Sequence, residues 1–340
     1  MHLPMNESIR AAMHAAFPRP TTSELVEYYG MMEYHLGWRD EQLRLAAAGA
    51  GKLIRPLLAI LACRTLGGAD EHVLPLAAAL QLIHDFSLIH DDIEDHSPQR
   101  RGRPTVWRLW GLEIGINVGD GMFAVAHRAL HGLPDAGVAP ATALAVMRAF
   151  EETILRICEG QHLDMTAEGR FDIGEERYLQ MIRGKTAALL QAAAGLGARL
   201  ATEDEAQVAA MSEFGEALGM AFQMQDDLLD IWGDPRRTGK PFAADLLQRK
   251  MSLPVIHALE HAGSDRAVVE RIYRQEQVSQ GDLDELLELL ARAGSRAHVA
   301  ALADAEHRRA FAALRTIRPA DPDAMKALHD LAESLLHRVW

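Results

Sequence analysis

At 340 residues, 49% of them apolar, the chain is long enough for one large core or for two domains. Its net charge of −13 leaves no domain-wide basic surface able to displace counterions from phosphates, which excludes a nucleic-acid partner. Ala and Leu dominate while aromatic residues make up only 6%, which favours helices over sheets. The two cysteines, Cys63 and Cys158, sit in apolar helical contexts and read as reduced core residues, so a cytoplasmic compartment is expected. No basic N-terminal segment leads into an apolar run, and no uninterrupted apolar stretch reaches roughly 18 residues. Neither a signal peptide nor a membrane span is expected.

Breakers mark off helices rather than domains. A first helix is expected from about Thr22 to Ala48; after Gly49 to Gly51 a second, KLIRPLLAILACRTL, begins at Lys52 and stops at Gly67-Gly68. The next runs from about Glu71 to Asp95 and is ended by the loop Ser97 to Pro104. Helical patterns follow at about Gly111 to Leu130, Pro140 to Thr166, Gly174 to Leu200, Glu203 to Trp232 and Ser252 to His261. Shorter ones lie near Asp265 to Gln275, Gly281 to Arg292, Arg296 to Thr316 and Pro322 to His337. Apolar residues recur at three and four positions throughout, and alternating strand-like runs are essentially absent. The expected fold is therefore all-α, a single large helical bundle around a central cavity, with Leu76 to Ile89 and Thr186 to Leu200 apolar nearly all round and buried within it.

Two stretches break the apolar pattern with acid. In LIHDDIED, Asp91 and Asp95 lie about 40° apart on one helix face, and His84 falls about 20° from Asp91 on the same stripe. In FQMQDDLLDIWGD, Asp226, Asp227 and Asp230 repeat the i, i+1, i+4 spacing of Asp91, Asp92 and Asp95, with Gln223 just before them. Like charges crowded on an apolar helix end repel one another and oppose the helix dipole, so each cluster calls for a cation. Magnesium is commonly held by one or two carboxylates plus substrate phosphate oxygens. Two such clusters facing each other across a bundle would make a site for several divalent cations bridged by a diphosphate.

Cationic groups for phosphate oxygens are also present. Of 35 basic residues only five are Lys, namely Lys52, Lys185, Lys240, Lys250 and Lys326, so a retained Lys reads as a needed ammonium donor. Lys52 and Arg55 sit three apart at a helix start, where backbone N–H groups favour an anion. Arg100 and Arg101 follow the first acidic cluster; Lys185-Thr186 interrupts an apolar helix; Lys240 and Lys250 flank the loop after the second cluster.

These motifs, GKLIRP, LIHDFSLIHDDIEDHSPQRRGRPT, EGQHLDM, MIRGKTAALL, FQMQDDLLDIWGDPRRTGK and DLLQRKMSLP, stand in the order found in the trans-isoprenyl diphosphate synthases, and the chain resembles that polyprenyl synthase family from about Gly49 to His261. The tail and the first 48 residues match only in being helical. The resemblance implies the isoprenoid synthase bundle and a prenyltransferase that condenses isopentenyl diphosphate head to tail onto an allylic diphosphate. It further implies magnesium, three ions per active site, held by Asp91, Asp92, Asp95, Asp226, Asp227 and Asp230. Arg100, Lys185, Thr186, Gln223, Lys240 and Lys250 would contact the allylic diphosphate, and Lys52, Arg55, His84 and Arg101 would bind isopentenyl diphosphate. A homodimer is usual in the family. Two departures are visible: Ala50-Gly51 replaces the usual Gly pair before Lys52, and Glu94 occupies a variable position; neither removes a ligand.

The resemblance also implies a ruler for product length. Residues four and five before Asp91, here Ser87 and Phe86, form the floor under the growing tail, and a small residue followed by this aromatic resembles geranylgeranyl diphosphate synthases. Farnesyl or longer-chain synthases are the alternative products. A terpene cyclase of the same helical type would need no second diphosphate site, and GKLIRP and Arg101 argue against it.

Overall fold

The structure, a computed structural model, describes residues 2–46, 53–238, 242–261, 263 and 266–336. In chain order its elements are α1 (His2–Ala16), α2 (Ser23–His35), α3 (Ile54–Thr65), α4 (Asp70–Glu94), β1 (Gln99–Arg100), β2 (Arg103–Pro104), α5 (Val106–Trp110), α6 (Leu112–Leu130), α7 (Gly132–Asp135) and α8 (Pro140–Ala167). There follow α9 (Glu175–Ile182), a π-helical turn (Arg183–Ala187), α10 (Ala188–Arg199), α11 (Glu205–Trp232), α12 (Pro235–Thr238), α13 (Ala244–Leu247), α14 (Leu253–His261), α15 (Arg266–Tyr273), α16 (Gln280–Ala293), α17 (Ser295–Arg315) and α18 (Pro322–Leu336). The fold is all-α; the only strands among the described residues form one two-residue hairpin.

The chain divides into two compact units. The first comprises Met1–Phe150, Leu196–Asp204 and Pro319–Met325. Its axis is α4, which packs on α1, α3 and α6. Val73, Leu76, Ala77, Ala78, Ala79, Leu80, Leu82 and Ile83 of α4 are all essentially inaccessible, and each fully buried Leu or Ile contributes roughly 1.5–3 kcal/mol. By length and composition α4 could cross a membrane, yet 61% of its most apolar window is buried in the protein, the property of a core helix. Small residues admit close packing here: a Cβ on Gly119 of α6 would lie 2.2 Å from His90 Nε2 of α4.

One local expectation for this unit does not hold. The helix expected over Thr22 to Ala48 ends at His35, because Gly37 takes a φ of +77° and the Asp40 carboxylate then caps a turn by accepting from the backbone N–H groups of Gln42 and Arg44. An additional helix, α1, precedes it; its stripe Met5, Ile9, Met13 and Ala16 is buried.

The second unit comprises Glu151–Gly195, Glu205–Arg318 and Lys326–Trp340. Here α11 packs on α17 and on the π-turn. The run expected as one helix from Gly174 to Leu200 is interrupted by that turn, which carries Lys185 and Thr186. Glycines permit its close approach to other backbone: a Cβ on Gly160 would lie 2.2 Å from Lys185 N, and one on Gly184 would lie 2.7 Å from the Arg156 carbonyl oxygen. On α11, a Cβ at Gly219 would come within 2.6 Å of Ala187 Cα. Cys63 is buried as expected, but Cys158 is exposed. It sits about 140° around α8 from the buried Thr153 and so faces away from the core.

Candidate functional site

In the first unit the site grows from the C-terminal end of α4. The three aspartates there do not share one environment. Asp92 is 2% exposed and accepts a 2.8 Å hydrogen bond from Arg100 Nε, whereas Asp91 is partly exposed and Asp95 is exposed. Burial pushes the Asp92 carboxyl above its usual range, and Arg100 pulls against that rise. The following hairpin pairs Arg100 with Arg103 and Gln99 with Pro104. Its tip, Arg101-Gly102, has φ of +53° and +74°, the signature of a type I′ turn. Thr105 Oγ1 and Trp107 Nε1 each donate to the Ser97 carbonyl at 2.9 Å, fixing the chain on either side. A cavity of about 170 Å³ is lined by Tyr34, His35, Asp92, Arg100, Arg101 and Arg103 among others.

Arg55, His84 and Asp85 lie within electrostatic reach of one another and of Arg101. Burial first, then the neighbouring Arg101, pulls the Arg55 guanidinium down to about 10, with Asp85 opposing, so it stays charged at neutral pH. Its Nε is buried without a hydrogen-bond partner. The same burial, reinforced by Arg55, holds the His84 imidazole well below its ordinary value and therefore neutral. Asp85, 2% exposed, accepts from Gln81 Nε2 at 2.7 Å and lies 3.5 Å from His35 Nε2. Burial alone would raise its carboxyl, but the His35 contact and His84 outweigh it and hold it low. Asp85 and His35 were not anticipated; the LIHD tetrapeptide was the available signal for the first, and nothing local marked the second.

The depressed His84 predicts a pH effect on stability. An unfolded chain takes up a proton at this residue below about pH 6.5 that the folded state refuses, so stability present above that pH is lost on acidification. The wild-type protein is expected to lose up to about 1.4 kcal/mol per pH unit more than His84→Gln below pH 6.5. Parallel curves in chemical denaturation at several pH values would contradict the assignment of a neutral His84.

The second unit repeats the theme at the end of α11. Asp227 is 4% exposed, while Asp226 and Asp230 are partly exposed. Both Asp227 oxygens are engaged: Oδ2 accepts from the Tyr178 hydroxyl of α9 and from Leu253 N at 3.1 Å, and Oδ1 accepts from Gln223 Nε2 at 3.1 Å. Burial drives its carboxyl up to about 7 against the pull of these bonds. Gln223 in turn accepts from Thr186 Oγ1 at 2.9 Å, which links the acidic motif to the π-turn. Lys185 Nζ donates to Asp164 Oδ2 at 2.5 Å. Lys250 is exposed, and its backbone is pinned by the Asp245 carbonyl at 2.9 Å and the Tyr273 hydroxyl at 3.1 Å. Tyr178 and Asp164 are site residues that spacing did not reveal, although Asp164 lies inside the EGQHLDM motif. Lys52 and Lys240 lie outside the described residues.

Both motifs thus bury the middle aspartate and leave the first and last accessible. Carboxylate pairs spaced i, i+4 at a helix C-terminus are hard oxygen donors, the kind magnesium takes together with phosphate oxygens. Among the described residues no three Asp, Glu, His or Cys side chains converge as a ready-made cage. Along α4, the Phe86 ring makes edge contacts with His90 and with Phe123 of α6, centroids 4.8 and 5.2 Å apart, and Ser87 Oγ donates to the His84 carbonyl at 2.8 Å. Phe123 continues through His127, at 4.4 Å, to Phe150, at 5.7 Å.

An all-α fold with two helices ending in Asp-Asp-x-x-Asp, one followed by an arginine hairpin and the other linked through Gln223 to a Lys-Thr π-turn, defines a class of diphosphate-handling helical enzymes. The chain belongs to the polyprenyl synthetase family, whose model matches residues 38–290. It is similar to the geranylgeranyl diphosphate synthase of Mycobacterium tuberculosis, with 39% identity over 307 residues covering 90% of this chain and 85% of that protein. The geranylfarnesyl diphosphate synthase of Aeropyrum pernix is 36% identical over 299 residues, covering 87% and 93%. Among solved structures, a polyprenyl synthetase from Streptomyces coelicolor A3(2) superposes with a TM-score of 0.88 at 34% identity, covering 98% of each chain.

Proposed function

We propose that the protein is a prenyltransferase that elongates an allylic diphosphate by head-to-tail condensation with isopentenyl diphosphate, ending at geranylgeranyl diphosphate. The observation that carries this reading is the pair of aspartate motifs, each with accessible outer carboxylates and an anchored middle one, in a chain of the polyprenyl synthetase family. Asp91, Asp95, Asp226 and Asp230 would present oxygens to magnesium, three ions being proposed, and Asp92 and Asp227 would assist from positions held by Arg100 and Tyr178. When bound, the magnesium supplies charge stabilisation to the departing diphosphate.

The chain's own groups do the rest. Arg100, Lys185, Lys240 and Lys250, with Thr186 and Gln223, hold the allylic diphosphate as its C–O bond breaks and the electron pair leaves with diphosphate. Lys52, Arg55 and Arg101 hold isopentenyl diphosphate, and neutral His84 donates a hydrogen bond without adding charge. The double bond of isopentenyl diphosphate supplies the electrons of the new C–C bond to the allylic carbon. A proton is then lost from the adjacent carbon, restoring a double bond; the released diphosphate accepts it. The exposed Leu112, Ile114 and Ile116 of α6, between 41% and 47% accessible, support a homodimer, and two free cysteines support a reducing, cytoplasmic setting.

Consumption of isopentenyl diphosphate should require both an allylic primer and magnesium, and chelation should abolish it. The Phe86-Ser87 turn is read as the floor beneath the tail. Ser87→Phe is expected to shorten the main product and Phe86→Ala to lengthen it, as sized by chromatography of dephosphorylated products. Unchanged length in both variants would remove the floor role.

A further inference from the structure

We propose that Arg103 is a positioning residue for isopentenyl diphosphate, acting through Arg101. The inference rests on the reading of Arg101 as a ligand of that diphosphate. Three arginines within four positions look equivalent in sequence, but the structure gives them different work. Arg100 is tied to Asp92, and Arg101 sits exposed at the hairpin tip. Arg103 turns away from both: its Nη1 donates to the Tyr34 carbonyl at 3.1 Å and its Nη2 to the Arg39 carbonyl at 2.7 Å. Its guanidinium carbon lies 4.0 Å above the centroid of the Tyr34 ring.

Tyr34 completes the clamp. Its hydroxyl donates to the Pro104 carbonyl at 2.7 Å, and the edge of its ring packs on Trp110 with centroids 5.1 Å apart. The end of α2 and the turn just after it, through Tyr34 and Arg39, which belong to none of the family motifs, therefore grip the base of the hairpin at two successive residues, Arg103 and Pro104. The grip has something to hold. Arg101 adopts a left-handed backbone at φ +53°, which costs a residue with a Cβ roughly 1–2 kcal/mol. Such strain persists only where surrounding contacts over-determine it. Arg103 is the register partner of Arg100 and closes the two-residue turn that forces Arg101 into this conformation. A lysine there could supply neither the planar fork across two carbonyls nor the stack on Tyr34.

Loss of the clamp is expected to let the tip relax and to raise KM for isopentenyl diphosphate about tenfold in Arg103→Met. KM for the allylic substrate and kcat should move less than about twofold, because Arg100 keeps its own anchor on Asp92. The decisive comparison is with Arg101→Ala and with the double variant. If Arg103 works through Arg101, Arg103→Met costs nothing further in KM once Arg101 is gone. A full additive effect in the double variant, or equal losses in both KM values and kcat, would overturn the proposal and leave Arg103 as a general stabiliser. An Arg101→Ala protein with unchanged KM for isopentenyl diphosphate would overturn the underlying reading of Arg101 instead. Arg103→Lys, which keeps charge and stem, carries the same test should Arg103→Met not fold, and circular dichroism separates the two cases.

Discussion

Asp91→Ala is expected to lower kcat on the order of 10³-fold without loss of fold. The side chain is partly exposed at the end of α4, where a negative charge faces the negative pole of the helix. Removing it relieves roughly 0.3–1 kcal/mol of unfavourable interaction with that pole. The loss appears in turnover, because the carboxylate would help hold the magnesium whose positive charge stabilises the departing diphosphate, and stabilisation at a developing anion is worth about 10²–10³ per group removed. Steady-state kinetics beside thermal unfolding would check both halves. A kcat within a few-fold of wild type would show that Asp91 does not serve the ionisation; a collapse in thermal stability would show that it serves the fold.

The opposite signature is expected from Gly160→Ala. A methyl group there would stand 2.2 Å from Lys185 N and 2.9 Å from Lys185 Cα, both backbone atoms that cannot rotate aside. Either α8 or the π-turn must shift. Overpacking of this kind costs about 1–3 kcal/mol or more, and the shift falls on Lys185 and Thr186, whose side chains meet Asp164 and Gln223. Stability in urea and kcat should therefore fall together, with kcat lower by about 100-fold if the turn is displaced by an ångström. Wild-type stability in this variant would contradict the close approach of α8 to the π-turn.

Much of this site was legible because it is local. Asp91, Asp92 and Asp95, like Asp226, Asp227 and Asp230, declare themselves by spacing on one helix, and the buried run of α4 declares itself by composition. What spacing could not tell was which carboxylate of each trio is anchored. Asp227 is fixed by Tyr178, 49 positions away, and by the backbone of Leu253, 26 positions away, so its burial is a tertiary fact. The π-turn was hidden for the same reason, since its glycine-lined approaches come from α8 and α11. The early end of α2 was a different case: Gly37 and Asp40 were both in view, but the apolar periodicity beyond them suggested continuation. Arg100 and Arg101 were legible by their proximity to the acidic cluster, whereas the role of Arg103 shows only in the backbone carbonyls of Tyr34 and Arg39. Asp85 had a local signal in the LIHD tetrapeptide, but its burial against His35 of α2 and its pull on Arg55 of α3 are tertiary facts that the sequence does not show.

The central claim is head-to-tail elongation at a centre that takes two diphosphates. Its most direct test is mass analysis of products formed by the purified protein with magnesium, unlabelled allylic diphosphate and deuterium-labelled isopentenyl diphosphate. The expected result is a ladder of prenyl diphosphates, each heavier than the last by one labelled unit less any label lost in the deprotonation that ends that condensation, and ending mainly at geranylgeranyl diphosphate. Consumption of the allylic diphosphate without isopentenyl diphosphate, giving unlabelled hydrocarbon or alcohol, would contradict it.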